Sequence, residues 1–203
     1  DIAQPKIGII TGVNEQHLST FGSMENLISA EGGKELIESL PEDYNPPKDG
    51  SSRFAGSSRV PTTLPPQRAP GLAIFNGNNK YCQKLYQKTK KPKKLCGQIN
   101  SDLWAENIKA GKESLSFKMF SKGGELADFR VNLLGAQNIE NLLLAACCAR
   151  DLGMTLEEIS KACQKIKLLP HQMELKKGIN DVNIIDSTYS TNPDGVLSHL
   201  EYL

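Results

Sequence analysis

The sequence predicts an α/β fold: a mostly parallel sheet with helices, a small antiparallel β portion, and one further βα unit at the end. Three observations carry this. Residues 7–11 and 71–76 are short, unbroken apolar runs, each leading through a polar turn into a helix-like segment. Strands buried on both faces read this way, and they are typical of parallel sheets. Two runs of strand character, 114–120 and 125–133, are joined by Lys122-Gly-Gly124, which is a hairpin signal. Last, Val182-Asn-Ile-Ile-Asp186 reads as a strand, and Pro193 opens a helix after it.

Taken in chain order, the first strand runs into Thr11-Gly-Val-Asn-Glu-Gln-His17, so His17 falls just beyond its C-terminal end. Ligands of open α/β sheets bind at that edge. Ser23 is a candidate N-cap, with Glu25 in the first turn, for a helix expected to reach Ser39; Gly32 and Gly33 weaken it. Residues 44–70 hold six of the eleven prolines, four serines and three arginines. That composition buries too little apolar surface to fold alone and predicts a solvated insert or loop. After the second strand comes Asn76-Gly-Asn-Asn79, then a helix over 80–90. The five lysines of 88–94, set around Pro92, predict a solvated basic loop. A strand over 103–108 precedes the hairpin. Ile139, Leu142, Leu143, Ala146 and Cys147 recur at helical spacing over 138–152, and Gly153 stops that helix. Thr155-Leu-Glu-Glu158 is a capping box for a helix to about Ile166.

The composition narrows function. With 203 residues, 38% hydrophobic and 23% charged, the chain can bury a real core. A net charge of +1 argues against a nucleic-acid partner, and the lysine run lacks interleaved aromatics. No apolar run is long enough to cross a bilayer, so no membrane partner is expected. Five cysteines (Cys82, Cys96, Cys147, Cys148 and Cys163) lack C-x-x-C spacing, which predicts reduced thiols and a cytoplasmic location.

Four segments carry the candidate chemistry: residues 10–23 around His17; Leu133-Leu-Gly-Ala-Gln-Asn-Ile-Glu-Asn141; Leu169-Pro-His-Gln-Met-Glu174; and Ile184-Ile-Asp-Ser-Thr-Tyr-Ser-Thr-Asn-Pro193. In that order, they resemble the Mur ligase family of ATP-dependent peptide-bond-forming enzymes. The resemblance covers nearly the whole chain apart from 44–70. It implies that residues 1–172 are part of a central ATP-binding domain, and that 173–203 begin a Rossmann-like C-terminal domain. It also implies ATP and Mg²⁺ as cofactors, a UDP-muramoyl peptide as acceptor, D-alanyl-D-alanine or another amino acid as amine, and a monomer. A folylpolyglutamate synthetase-like ligase and a non-catalytic nucleotide-binding or structural module are the alternatives.

The resemblance also distributes roles. His17 matches a histidine that binds magnesium; the plainer reading is a loop histidine bonded to backbone. Where many relatives have a carbamylated lysine for a second metal, this chain has Glu31, with Lys34 one turn later. Either Glu31 supplies the carboxylate directly, or Lys34 takes the role after a local shift; a solvated helix glutamate is the bland alternative. Gln137, Asn138 and Asn141 stand where the family has His-Asn-x-x-Asn. Amide side chains can read both a donor and an acceptor of adenine, although Asn138 also suits helix capping. Gln172 stands at a phosphate-contacting arginine and cannot carry its charge, while His171 is a possible substitute cation or a plain linker residue. Asp186 or Ser187 matches an acid near the ribose or phosphates. No G-x-x-x-x-G-K-[ST] occurs. The resemblance places that loop upstream of Asp1, so the chain is expected to be a piece of a longer protein and inactive alone.

Overall fold

The computed structural model describes residues 5–15, 18–41, 71–189 and 193–203. Six strands form one mixed sheet in sequential order: β1 (Ile7–Ile10), β2 (Leu72–Asn76), β3 (Lys93–Cys96), β4 (Leu103–Ala110), β5 (Leu115–Ser121) and β6 (Leu126–Val131). β1, β2 and β3 are parallel neighbours, and β3 meets β4 in parallel through the single pair Cys96–Leu103. From β4 to β6 the pairing is antiparallel, and the β5–β6 hairpin turns at Lys122-Gly-Gly124. The mostly parallel sheet with an antiparallel extension is the expected architecture.

β2 is buried along its whole length because both of its faces are covered. Leu72 and Ile74 point into the larger core with Leu103, Leu115, Phe117, Met119, Phe129 and Val131. Helix α5 (Asn138–Asp151) covers that face through Ile139, Leu142, Leu143 and Cys147, and α6 (Leu156–Cys163) adds Leu156 and Ile159. The alternate residues Ala73 and Phe75 face a smaller core with Ile10, Ile37, Leu40 and Cys82. That second layer comes from α3 (Lys34–Ser39) and α4 (Lys80–Lys88). The capping box of α6 is formed as expected, with Thr155 Oγ1 accepting from Glu158 N and the Glu158 carboxylate accepting from Thr155 N.

Two expectations need correction. The helix expected over 23–39 is two helices, α2 (Met24–Glu31) and α3, preceded by the single turn α1 (Leu18–Phe21). Gly33 breaks it in the left-handed region at φ 76°, where a Cβ would lie 2.3 Å from Ile10 Cδ1. Ser23 caps α2 as anticipated, accepting from Asn26 N at 3.2 Å. The lysine run, expected to be solvated, leads into β3, which begins at Lys93. Lys93 Nζ donates to the carbonyls of Tyr86 and Thr89 at the end of α4, and Lys91 donates to those of Glu38 and Leu40 at the end of α3. These ammonium groups satisfy helix-end carbonyls that lack intrahelical partners. The proline-rich stretch 44–70 lies outside the described residues.

The chain continues into a separate antiparallel pair, β7 (Glu174–Lys177) and β8 (Asn183–Asp186), and then α7 (Pro193–Tyr202). β8 and α7 form the βα unit read from the sequence; β7 gave no such signal, because Glu-Leu-Lys-Lys lacks an apolar run.

Candidate functional site

β1, β2 and β3 point the same way, so their carboxyl ends, at Ile10, Asn76 and Cys96, lie along one edge of the sheet. Amide side chains dominate that edge. Asn76 is only 4% exposed. Its Nδ2 donates to Thr11 O at 2.9 Å and to Glu140 Oε2 at 2.7 Å, and its Oδ1 accepts from Asn78 N. Asn78 Nδ2 donates to Glu140 Oε1 at 3.0 Å. Asn79 caps α4, accepting from Tyr81 N and Cys82 N, while its Nδ2 donates to Val13 O. The segments that follow β1 and β2 are thereby stitched to each other and to the start of α5. Burial pushes the Cys82 thiol up to about 11, and Cys82 Sγ donates to Ile10 O.

α5 begins after Gly135, which holds φ 82°. Gln137 occupies the cap position without a side-chain capping bond. Asn138 does not cap the helix either; its Nδ2 donates back to Leu134 O at 2.7 Å. Asn141 is exposed one turn on. Gln137 Nε2 lies 2.7 Å from Met173 Sδ, which connects the start of α5 to the turn before β7.

In that turn His171 and Met173 both adopt positive φ, and Gln172 is exposed. His171 Nδ1 lies 2.8 Å from Asp186 Oδ2. Lys176 Nζ is 2.5 Å from Asp186 Oδ2 and 3.2 Å from Glu174 Oε2. Thr188 donates to Asp186 Oδ1 through both N and Oγ1. The Lys176 ammonium, the Thr188 hydroxyl and the His171 ring together hold the Asp186 carboxyl well below the usual carboxylate range. Ser187 Oγ is 3.3 Å from His199 Nε2 on α7. One ligand atom each from His171, Glu174 and Asp186 fall within 4.8 Å of one another. The donor set does not fit a divalent ion as it stands, because the Lys176 ammonium already bonds to both carboxylates.

A cavity of about 330 Å³ opens beside the edge. It is lined by Val13, Asn14 and Glu15 after β1, by residues 78–81, and by Pro193 and Asp194 at the start of α7. Gln137, Asn138, Asp186 and Ser187 do not line this cavity; Gln137 reaches Met173, and Asp186 meets His171 of the same turn. Lys34 is exposed at the start of α3, 3.8 Å from Glu38. Glu31 ends α2, and its side chain lies outside the described residues, as does His17. Sequence reasoning passed over Asn76, Asn78, Asn79 and Glu140. The turn Asn-Gly-Asn-Asn was visible, but nothing in the sequence says that Asn76 is buried or that Glu140 faces it.

Residues 64–149 match the family model of the Mur ligase middle domain. Over this segment the chain is similar to the Mur ligases. It is 24% identical over 204 residues to the UDP-N-acetylmuramoyl-tripeptide–D-alanyl-D-alanine ligase of Buchnera aphidicola, covering all of this chain and 38% of that protein. It is 25% identical over 197 residues to the UDP-N-acetylmuramoyl-L-alanyl-D-glutamate–2,6-diaminopimelate ligase of Geobacillus kaustophilus, covering 96% of this chain and 35% of that one. The chain therefore spans little more than a third of these relatives. Among solved structures, MurF from Acinetobacter baumannii superposes with TM-score 0.75 at 20% identity, over 98% of this chain and 37% of that one. MurF ligase from Thermotoga maritima in complex with ADP gives TM-score 0.74 at 17% identity, over 100% and 40%. The Mur-type α/β fold of the chain follows from these superpositions. No helix among the described residues is long and apolar enough to cross a membrane.

Proposed function

We propose that this Mur-ligase-like chain is part of an ATP-dependent ligase of peptidoglycan precursor synthesis. The observation that carries the reading is the amide-rich carboxyl edge of β1–β3, meeting the start of α5 where Asn138 and Asn141 stand three residues apart. In the proposed reaction, the γ-phosphoryl group of ATP passes to a carboxylate of a UDP-muramoyl peptide, giving an acyl phosphate and ADP. The amine of D-alanyl-D-alanine then attacks the acyl carbon, an amide forms and phosphate leaves. The dipeptide is favoured as amine because relatives of that activity, from Buchnera aphidicola and Bacillus subtilis, match nearly the whole chain.

In this reading residues 1–172 belong to a central ATP-binding domain and 173–203 begin a C-terminal one, in a monomeric cytoplasmic enzyme. Asn138 and Asn141 face adenine, with Gln137 beside them. Asp186, Ser187 and Gln172 lie toward ribose and phosphates. His17 and Glu31 are the proposed magnesium ligands; the ion would supply charge neutralisation to the phosphates. Lys34 is the alternative to Glu31, and bicarbonate dependence separates the two, since only a lysine needs carbamylation.

No G-x-x-x-x-G-K-[ST] cradle occurs in these 203 residues, so turnover calls for another segment. A second reading, a nucleotide-binding scaffold without catalysis, is favoured by Gln137 and Gln172, which cannot bear charge. Calorimetric titration with ATP, with and without magnesium, tests the first reading: magnesium-dependent binding is expected, and its absence overturns it. Sustained ADP release from this chain, given UDP-muramoyl-tripeptide and D-alanyl-D-alanine, would refute both the scaffold reading and the need for a phosphate loop.

A further inference from the structure

Glu140 was not among the residues expected to act, and it does not reach into the 330 Å³ cavity. Its carboxylate nevertheless makes the polar connection between α5 and the carboxyl edge of the sheet. Asn76 Nδ2 donates to Oε2 at 2.7 Å, and Asn78 Nδ2 donates to Oε1 at 3.0 Å. Each oxygen has its own donor. A single hydrogen bond would let the helix start pivot, whereas two fix its rotation as well as its position. Both donors sit on rigid supports. Asn76 is the buried last residue of β2, anchored to Thr11 O, and its Oδ1 fixes the amide of Asn78.

The helix start needs such an anchor. Its cap position offers no side-chain hydrogen bond, and Asn138 spends its own amide on Leu134 O. An uncapped first turn frays readily. The acidic group in that turn is also favoured by the positive end of the helix dipole. Asn138 and Asn141 flank Glu140 in the same turn, so whatever fixes Glu140 fixes them.

We infer that Glu140 is the positioning residue of the adenine-facing turn: clamped by Asn76 and Asn78, it sets where Asn138 and Asn141 stand and thereby the preference for adenine over other bases. The inference rests on the nucleotide reading proposed above. Glu140 touches no ligand in it, and the effect passes through the two asparagines.

The test compares wild type, Glu140→Ala, Glu140→Gln and the double variant Glu140→Gln/Asn78→Asp in the 203-residue chain. Removing the carboxylate leaves Asn76 bonded to Thr11 O, so β2 and the core are expected to survive. The ratio of ATP to GTP affinity is expected to fall about tenfold in Glu140→Ala, as for the loss of charge-assisted hydrogen bonds. Glu140→Gln should fall similarly, because its amide can accept from only one asparagine. The double variant exchanges donor and acceptor, restores both bonds and should recover the ratio. Hydrogen exchange supplies the second readout: the amides of residues 138–142 should lose protection in Glu140→Ala while the end of α5 keeps it. An unchanged ATP-to-GTP ratio in Glu140→Ala overturns the inference. If the wild-type chain binds no nucleotide, the reading above falls instead, and unchanged exchange at 138–142 then overturns the role of Glu140 by itself.

Discussion

Lys94 Nζ lies 2.8 Å from Asp151 Oδ1, joining the middle of β3 to the last residue of α5. The Asp151 side chain is 9% exposed and that of Lys94 28%. Burial pulls the Lys94 ammonium down, but the hydrogen bond and charge of Asp151 outweigh it and leave Lys94 above its ordinary 10.5. The bond therefore stabilises the fold at pH values below the ordinary lysine range and is lost as pH rises through the elevated one. Replacing Asp151 by Ala strands a half-buried ammonium and is expected to cost about 2 kcal/mol. Lys94→Met keeps the packed stem but leaves the more deeply buried Asp151 carboxylate without this ammonium, and should cost at least as much as Asp151→Ala. Urea denaturation of the two variants at pH 7 checks the order.

Glu125 links three elements at the far end of the sheet. Its Oε2 accepts from Arg150 Nη2 at 2.6 Å and Nε at 3.1 Å, and its Oε1 accepts from Leu156 N at 2.6 Å. The carboxylate thus binds the end of α5 and the first amide of α6 together, just ahead of β6. Glu125→Ala should cost about 2 kcal/mol, the order expected for charge-assisted bonds in a partly buried site. Glu125→Gln, which still accepts one bond, should cost less. Thermal unfolding followed by circular dichroism would expose an error if the two lost the same amount.

Gly33 and Gly124 offer a matched pair. Both have positive φ, at 76° and 83°, yet a Cβ on Gly33 meets Ile10 Cδ1 at 2.3 Å while one on Gly124 meets nothing within 4 Å. Gly124→Ala carries only the left-handed penalty of about 1 kcal/mol. Gly33→Ala adds a clash with a core side chain and should lose at least about 1 kcal/mol more. Equal losses in chemical denaturation would contradict the α2–α3 break described above.

The cluster around Asp186 predicts a pH response of the β7–β8 pair. Its carboxyl is held below the ordinary 3.8, first by Lys176, then by Thr188 and His171. A lowered folded-state value means the stabilisation is present above the unfolded value and drains away as pH falls below it. Lys176 is raised above 10.5 by Asp186 and Glu174, so its share is lost only as pH climbs past that value. Exchange protection of the β7–β8 ladder should be steady between about pH 5 and 9 and decline below about pH 4. Asp186→Asn should flatten the acid limb; an unaltered acid limb in that variant would mean that other carboxyls carry it.

Much of the fold was legible because burial on two faces leaves a plain mark. Leu72–Asn76 reads as an unbroken apolar run since helices cover it on both sides, and Thr155–Glu158 spells its own cap. The β3 strand was hidden because its lysines look solvated. Lys93 bonds to carbonyls at the end of α4, and Lys94 to Asp151, 57 residues on. The same blindness applied at the candidate site. Asn138 and Asn141 were visible as an i, i+3 pair, whereas Glu140 between them looked like any helix-surface acid.

Alone, then, the sequence determined the α/β class, the hairpin and the caps, since each depends on residues close together in the chain, and the resemblance to the Mur ligases, which depends on the order of short segments. Only the tertiary structure decided that Asn76 is buried, that Glu140 spans Asn76 and Asn78, and that His171 and Lys176 converge on Asp186. These are contacts between residues as many as 64 positions apart. Local propensity carries no information about such distances, because the partners meet only when the packing of apolar faces brings the strand ends and helix starts to one edge.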